Sequence, residues 1–182
     1  MANPFTNDVY LADTGPADDY PAEPSTTGVV SVGGSVTGNI EAANDVDWFA
    51  VTLTAGVEYR IDLEGSATSR GSLADPYFRG VYDHSGALIS GTPDDDGGLG
   101  LNSRAFFVPS ATGTYHLAAG AYPFVFDSYA YLGTYQLSIV RAPDAGELVG
   151  TAGNDYLTGS RYPESLTGLA GNDTLDGGLG DD

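Results

Sequence analysis

Asp47-Trp48-Phe49-Ala50-Val51-Thr52-Leu53 is the stretch from which the fold can be read. Apolar residues alternate, so Phe49, Val51 and Leu53 share one face while Ala50 and Thr52 take the other, the pattern of a half-buried antiparallel strand. Tyr59-Arg60-Ile61-Asp62-Leu63 repeats it, with Tyr59, Ile61 and Leu63 on one side. Working outward, further short runs with Gly-rich turns between them predict strands at 34–40, 47–53, 58–63, 77–82, 87–89, 104–108, 113–119 and 134–140. No stretch carries a 3.6-residue apolar stripe. About eight short strands with frequent turns predict an all-β fold, an antiparallel β-sandwich of jelly-roll type.

Composition narrows the function. The 182 residues hold 25 acids against 6 basic residues, a formal charge of −19; every base is Arg, and 19 of the acids are Asp. Such a charge repels phosphate, so neither nucleic acid nor an anionic membrane surface is an expected partner. The absence of Cys excludes disulfides, thiolate catalysis and zinc–thiolate sites. No run of about 18 apolar residues provides a membrane span. Residues 1–7 lack the basic cluster and apolar stretch of a cleavable secretion signal. Asp, the shorter carboxylate, suits tight turns and loops folded around a hard cation. Its excess fits either divalent-ion sites or adaptation to salty surroundings.

After residue 142 the texture changes. Glycines recur at 150, 159, 168 and 177 and leucines at 157, 166 and 175, both with a spacing of nine. Gly150-Thr-Ala-Gly153-Asn-Asp155-Tyr-Leu157-Thr is matched by Gly168-Leu-Ala-Gly171-Asn-Asp173-Thr-Leu175-Asp, and Gly177-Gly-Leu-Gly180-Asp-Asp182 starts another turn. This is the Gly-Gly-x-Gly-x-Asp-x-apolar-x nonapeptide that builds a parallel β-roll. Glycine permits turns with φ > 0, Asp offers a carboxylate to calcium, and Leu packs inside. The turn at 159–167 is degenerate, with Tyr162 for Gly and Glu164 for Asp. Ion sites in such a roll form between turns n and n+2. The expected ligand set is therefore Asp155 and Asp173 with the Gly153 and Gly171 backbone, while Glu164 and Asp182 make a weak opposite edge.

Residues 145–182 resemble the RTX calcium-binding repeats of type-I-secreted bacterial proteins. Roughly residues 14–142 resemble the bacterial pre-peptidase C-terminal domain. The matching pieces are Asp18-Asp19-Tyr20, Asn44-Asp45-Val46-Asp47-Trp48-Phe49, Leu73-Ala74-Asp75-Pro76-Tyr77, Asp94-Asp95-Asp96-Gly97-Gly98, Asn102-Ser103-Arg104 and Gly113-Thr114-Tyr115. The expected division is a leader at 1–13, the sandwich at 14–142 and the repeats at 143–182. The resemblance implies a non-catalytic, calcium-dependent module of a secreted, cell-surface RTX adhesin, exported by type I secretion and acting as a monomer within a larger chain. Its partner would be an extracellular peptide, protein or glycan on a target cell. An accessory domain of a secreted protease or polysaccharide-degrading enzyme, or a structural spacer, is the alternative.

The resemblance further implies a calcium loop at Asp94, Asp95 and Asp96 with Asp75 and Asn102. Without it, Asp-Gly marks an ordinary solvated turn. Asp45 and Asp47 point the same way in an extended segment. Asp18 and Asp19 join them only if the leader folds back. Tyr122, Phe124, Phe126, Tyr129 and Tyr131 crowd a loop near Asp127, either as an extra core hairpin or as the wall of a binding pocket. In the second case a peptide carboxylate would ligate calcium, with Arg79 or Arg104 as its charged partner; both arginines are equally suited to pairing with Asp. His84 and His116 are too few for a histidine metal cluster, no Gly-x-Ser-x-Gly elbow is present, and no catalytic residues are expected.

Overall fold

The computed structural model describes residues 17–122, 131–142, 147–159 and 165–178. Seven antiparallel strands form the sandwich: β1 (Gly34–Ile40), β2 (Val46–Leu53), β3 (Tyr59–Glu64), β4 (Pro76–Tyr82), β5 (Ser103–Phe107), β6 (Gly113–Ala121) and β7 (Gly133–Arg141). Their orders are β1-β7-β3-β5 in one sheet and β2-β6-β4 in the other. Successive strands thus alternate between sheets, and every connection crosses the core. The alternating residues explain why. Phe49, Leu53, Ile61, Leu63, Phe78, Leu117, Tyr135, Leu137 and Ile139 are all fully buried and drawn from both sheets. At about 25 cal/mol per Å² of apolar surface, each such side chain contributes roughly 1.5–3 kcal/mol, which holds the layers face to face.

The all-β expectation stands; the only helical turn among the described residues is a 3-10 turn at Ser66–Thr68. One expected strand changes. Residues 87–89 make only an isolated bridge, Tyr82 to Leu88, because the 83–89 segment turns on itself through Asp83, whose Oδ1 accepts from Ser85 N and Ala87 N. That loop closes over the outer face of β2, where Trp48 stacks on Tyr82 at 4.3 Å and His116 at 5.5 Å.

Four three-residue strands follow: β8 (Glu147–Val149), β9 (Tyr156–Thr158), β10 (Ser165–Thr167) and β11 (Thr174–Asp176). β8 pairs with β10 and β9 with β11, both parallel, so alternate turns stack as a roll requires. The repeat glycines serve two purposes. Gly171 has φ +132°. Gly150 and Gly168 instead allow close approach: a Cβ on Gly150 would lie 2.8 Å from Asp155 Oδ2. Leu157 and Leu166 are half-buried, but Leu175 is 49% exposed.

Candidate metal centres

Two acidic sites form at the same end of the three-stranded sheet, one on either side of the end of β6. The first is built on the inward row of β2. Asp47 occupies the register position before Phe49 and is fully buried. Tyr135 of β7 donates its hydroxyl to Asp47 Oδ2, while Asp47 Oδ1 is buried without a partner. Asp18, Asp45 and Asp47 bring one carboxylate oxygen each within 4.8 Å of one another, and Asp18, Asp19 and Glu41 do the same. Residues 18–20 therefore fold back on the sandwich: Trp48 N donates to Tyr20 O, and Tyr20 packs on Phe49 at 4.7 Å. Burial, followed by the neighbouring carboxylates, pushes the Asp47 carboxyl up to about 8. Asp19 and Glu41 are also raised, first by burial. Glu41 belongs to this cluster and is not evident from the sequence, because it lies directly after β1, far in sequence from Asp18 and Asp19.

The second site is built on the loop before β4. Asp75, Asp95 and Asp96 bring their oxygens within 4.8 Å. Asp75 is 8% exposed, and Asp75 Oδ1 and Asp95 Oδ1 are buried without partners. Burial and the Asp95 and Asp96 charges push the Asp75 carboxyl up to about 6, and Asp95 is raised for the same two reasons. Ser103, 1% exposed, pins the loop. Its Oγ accepts from Phe78 N at 2.9 Å and lies 2.8–2.9 Å from the Pro76, Asp94 and Asp95 carbonyls.

Two residues expected here do other work. Asp94 Oδ1 accepts from Gly97 N and Arg104 N, closing the turn. Asn102 accepts from Gly65 N and donates to Thr68 Oγ1, holding the 3-10 turn. Among the described residues the carboxylate trio is Asp75, Asp95 and Asp96, without Asp94.

Carboxylates gathered in this way, several with a buried oxygen left without a hydrogen bond, suit a hard cation that takes oxygen ligands, as calcium does. A buried anion with no partner is otherwise costly. The residues present in both sites fit such an ion.

The expected ligand pocket divides. Arg79 on β4 lies over the Tyr77 ring, 4.8 Å from its centroid, and donates Nη2 to Ala121 O at 2.9 Å. Its Nε is buried with no partner, and none of the ion pairs among the described residues includes it. Tyr122, 40% exposed, meets Tyr77 edge-on at 6.1 Å, and its N–H donates to Asp75 O. Arg79, Tyr122 and the Asp75 site therefore share one end of the three-stranded sheet. Arg104 does not join them. It sits on β5 in the other sheet, where Nε donates to Asp62 at 2.6 Å and Nη1 to Asp176 at 3.0 Å. Those pairs hold its guanidinium away from the pocket. Phe124, Phe126, Asp127 and Tyr129 lie outside the described residues, as do Tyr162, Glu164 and Asp182.

In the roll, Asp155 and Asp173 come together across alternate turns: Asp155 N donates to Asp173 Oδ1 at 2.9 Å. Thr151 N donates to Asp155 Oδ2 at 2.7 Å, and the Gly153 carbonyl lies against Gly171. All these donors are oxygens, so the set suits calcium.

Residues 149–182 match the RTX calcium-binding nonapeptide repeat, a family model of four copies. The RTX segment is a calcium-binding one, and calcium is its cation. A search of the curated proteins finds no match to this chain. Among solved structures the chain is similar to the pre-peptidase C-terminal domain of a collagenase from Bacillus anthracis, at 16% identity and TM-score 0.44, over 62% of this chain and 92% of that one. It is also similar to CorA, a surface-associated copper-binding protein of Methylomicrobium album BG8 (14%, TM-score 0.39, 62% and 98%). A third is PliG, a periplasmic inhibitor of g-type lysozyme from Aeromonas hydrophila (15%, TM-score 0.36, 62% and 97%). At these values no ligand or activity passes from them to this chain. No helix among the described residues is long and apolar enough to cross a membrane.

Proposed function

We propose that this chain is a calcium-dependent, non-catalytic ligand-binding module of a secreted RTX adhesin, divided into a leader (1–13), a sandwich (14–142) and repeats (143–182). The ligand is the free C-terminus of an extracellular peptide. The observation that carries the reading is the meeting, at one sheet end, of the Asp75–Asp95–Asp96 trio with an unpaired Arg79 seated on Tyr77 beside Tyr122. In a chain of net charge −19, an arginine with no acid partner is a reserved cation. A terminal carboxylate would complete the coordination of a calcium ion on the trio and take a charge-assisted hydrogen bond from Arg79. The two tyrosines would flank the last side chain.

Calcium is also expected to order the Asp18–Asp19–Asp45–Asp47 site. Ion binding to the folded state alone stabilises it by mass action, so low calcium before export and higher calcium outside would time folding to secretion. The test is titration of short peptides with free and amidated C-termini, each in calcium and in chelator. Tighter binding of the free form, in calcium only and weakened by Arg79→Gln, supports the reading. Equal affinity for both forms overturns it.

A further inference from the structure

The sandwich grips the roll through a buried charge network that no ion site requires. Asp62 on β3 is 5% exposed and is held by two guanidiniums of its own sheet: Arg60 Nε donates to Oδ2 at 2.8 Å and Arg104 Nε to Oδ1 at 2.6 Å. Both arginines then reach the roll. Arg60 Nη1 donates to the Thr158 carbonyl and Arg104 Nη1 to Asp176 Oδ2, each at 3.0 Å. Thr158 and Asp176 are register partners across β9 and β11, so the two arginines hold one rung of one roll sheet. That rung follows Asp155 and Asp173 by three residues in each turn. Behind it a cleft of about 500 Å³ separates the layers, lined among others by Gln136, Ser138 and Tyr156.

Two physical arguments make this junction more than a contact. The first concerns charge. Arg60, Arg104 and Asp62 sum to +1, and Asp176 brings the group to neutrality. The Arg104 and Asp62 side chains are 9% and 8% exposed with the roll in place. Removing one member of such a buried group leaves an uncompensated charge. The second concerns length. Each roll sheet has two described strands, and solenoids this short depend on a capping layer at their ends.

We propose that the outer face of the four-stranded sheet is the amino-terminal cap of the roll, and that the Arg60–Asp62–Arg104 triad sets the calcium concentration at which the repeats fold. The proposal rests on the reading of residues 149–182 as calcium repeats. Ion binding at Asp155 and Asp173 fixes the rung that the triad holds, and by linkage a preformed triad tightens ion binding by the same factor.

The test uses the full chain and hydrogen exchange read by mass spectrometry over residues 147–178, followed through a calcium titration. Asp176→Asn removes the charge that Arg104 reaches but keeps Oδ1, which accepts from Gly178 N. Arg104→Met removes the same link from the sandwich side without altering any roll residue. Each single variant is expected to raise the calcium midpoint of the roll about fivefold or more, in the range of ordinary allosteric coupling. The double variant is expected to match the singles, since both remove one interaction. Asp176→Asn also secures the test if Arg104→Met fails to fold. A midpoint within about twofold of wild type in Asp176→Asn overturns the proposal. So do additive shifts in the double variant, which would make Asp176 a calcium ligand in its own right. A wild-type roll indifferent to calcium would overturn the repeat reading itself, and is distinguished from the other outcomes by that protein alone.

Discussion

Replacing Asp47 by Asn should move stability in opposite directions with and without calcium. In the ion-free protein at about pH 8, the Asp47 carboxyl titrates near 8 because it is buried among Asp18, Asp19 and Asp45. An unfolded Asp ionises near 3.9, so folding must hold a proton on Asp47 or bury its charge. Asn has nearly the same shape, still accepts from Tyr135, and can donate its amide to the Asp18 and Asp45 oxygens. Removing a buried, unpartnered charge of this kind is worth roughly 1–3 kcal/mol. In a chain of 182 residues that is a rise of about 2–10 °C in melting temperature. In calcium the sign reverses. Saturation at 100 times Kd adds about 2.7 kcal/mol to the wild type, and the variant forfeits most of that share from this site. Differential scanning calorimetry in excess chelator and in millimolar calcium reads both halves. A variant destabilised equally in both conditions would make Asp47 an ordinary hydrogen-bond partner of Tyr135, and the ion-site argument would fail for the Asp47 cluster.

Other expectations follow from the same geometry. The ion-free protein should lose stability as pH rises from about 4 to 8: Asp75 and Asp47 have folded values raised to about 6 and 8, so the folded state holds protons that the unfolded state has released, at no more than about 1.4 kcal/mol per pH unit for each group. Calcium replaces those protons, so the melting-temperature gain on adding it should be larger at pH 8 than at pH 6. Gly120→Ala would place a Cβ 2.8 Å from Arg79 Nε; the flexible side chain should give way, leaving the melting temperature within a few degrees but weakening peptide binding about tenfold in isothermal titration, whereas unchanged binding would remove Arg79 from the site. Ser103→Ala removes the hydroxyl that Phe78 N–H shares with the Asp94 carbonyl and should cost about 0.5–1.5 kcal/mol, with a weaker calcium response of the Asp94–Asp96 loop in hydrogen exchange.

The strand pattern was open to reading because apolar alternation is a local property. β1 spans residues 34–40 as expected, and the inward rows of β2 and β3 are buried as the period-2 rule requires. The 87–89 run failed because three alternating residues also fit a loop, and Asp83 captured the backbone amides that a strand would have used. At the acidic sites, proximity in sequence brought together Asp45 with Asp47 and Asp95 with Asp96. Sequence could not foresee Glu41, Ser103 or Tyr135, since they arrive from the end of β1, from β5 and from β7, and only the pairing of the two sheets brings them in. Arg104 shows the limit most clearly. The sequence leaves it free to pair with Asp or to face a ligand, and the sheet it occupies decides for Asp62 and Asp176.

The excess of aspartate has two explanations from composition, salt adaptation and ion sites, and burial separates them. A salt-adapted surface places its acids in water, where hydration satisfies both oxygens and no geometry is needed. Asp83 comes closer to that: it is only partly buried, caps a turn, and the Ser85 and Ala87 hydrogen bonds hold its carboxyl below the usual range. Asp47 and Asp75 do not. They are 0% and 8% exposed, each keeps an oxygen with no donor, and each stands among other acids in place of a base. Asp62 supplies the internal contrast, because the same protein, burying an acid to hold structure, gives it two arginines. A fold that pairs one buried aspartate with cations from its small stock of six arginines, and leaves two others beside carboxylates with no arginine paired to them, has the arrangement expected if a cation from outside the chain completes those two sites.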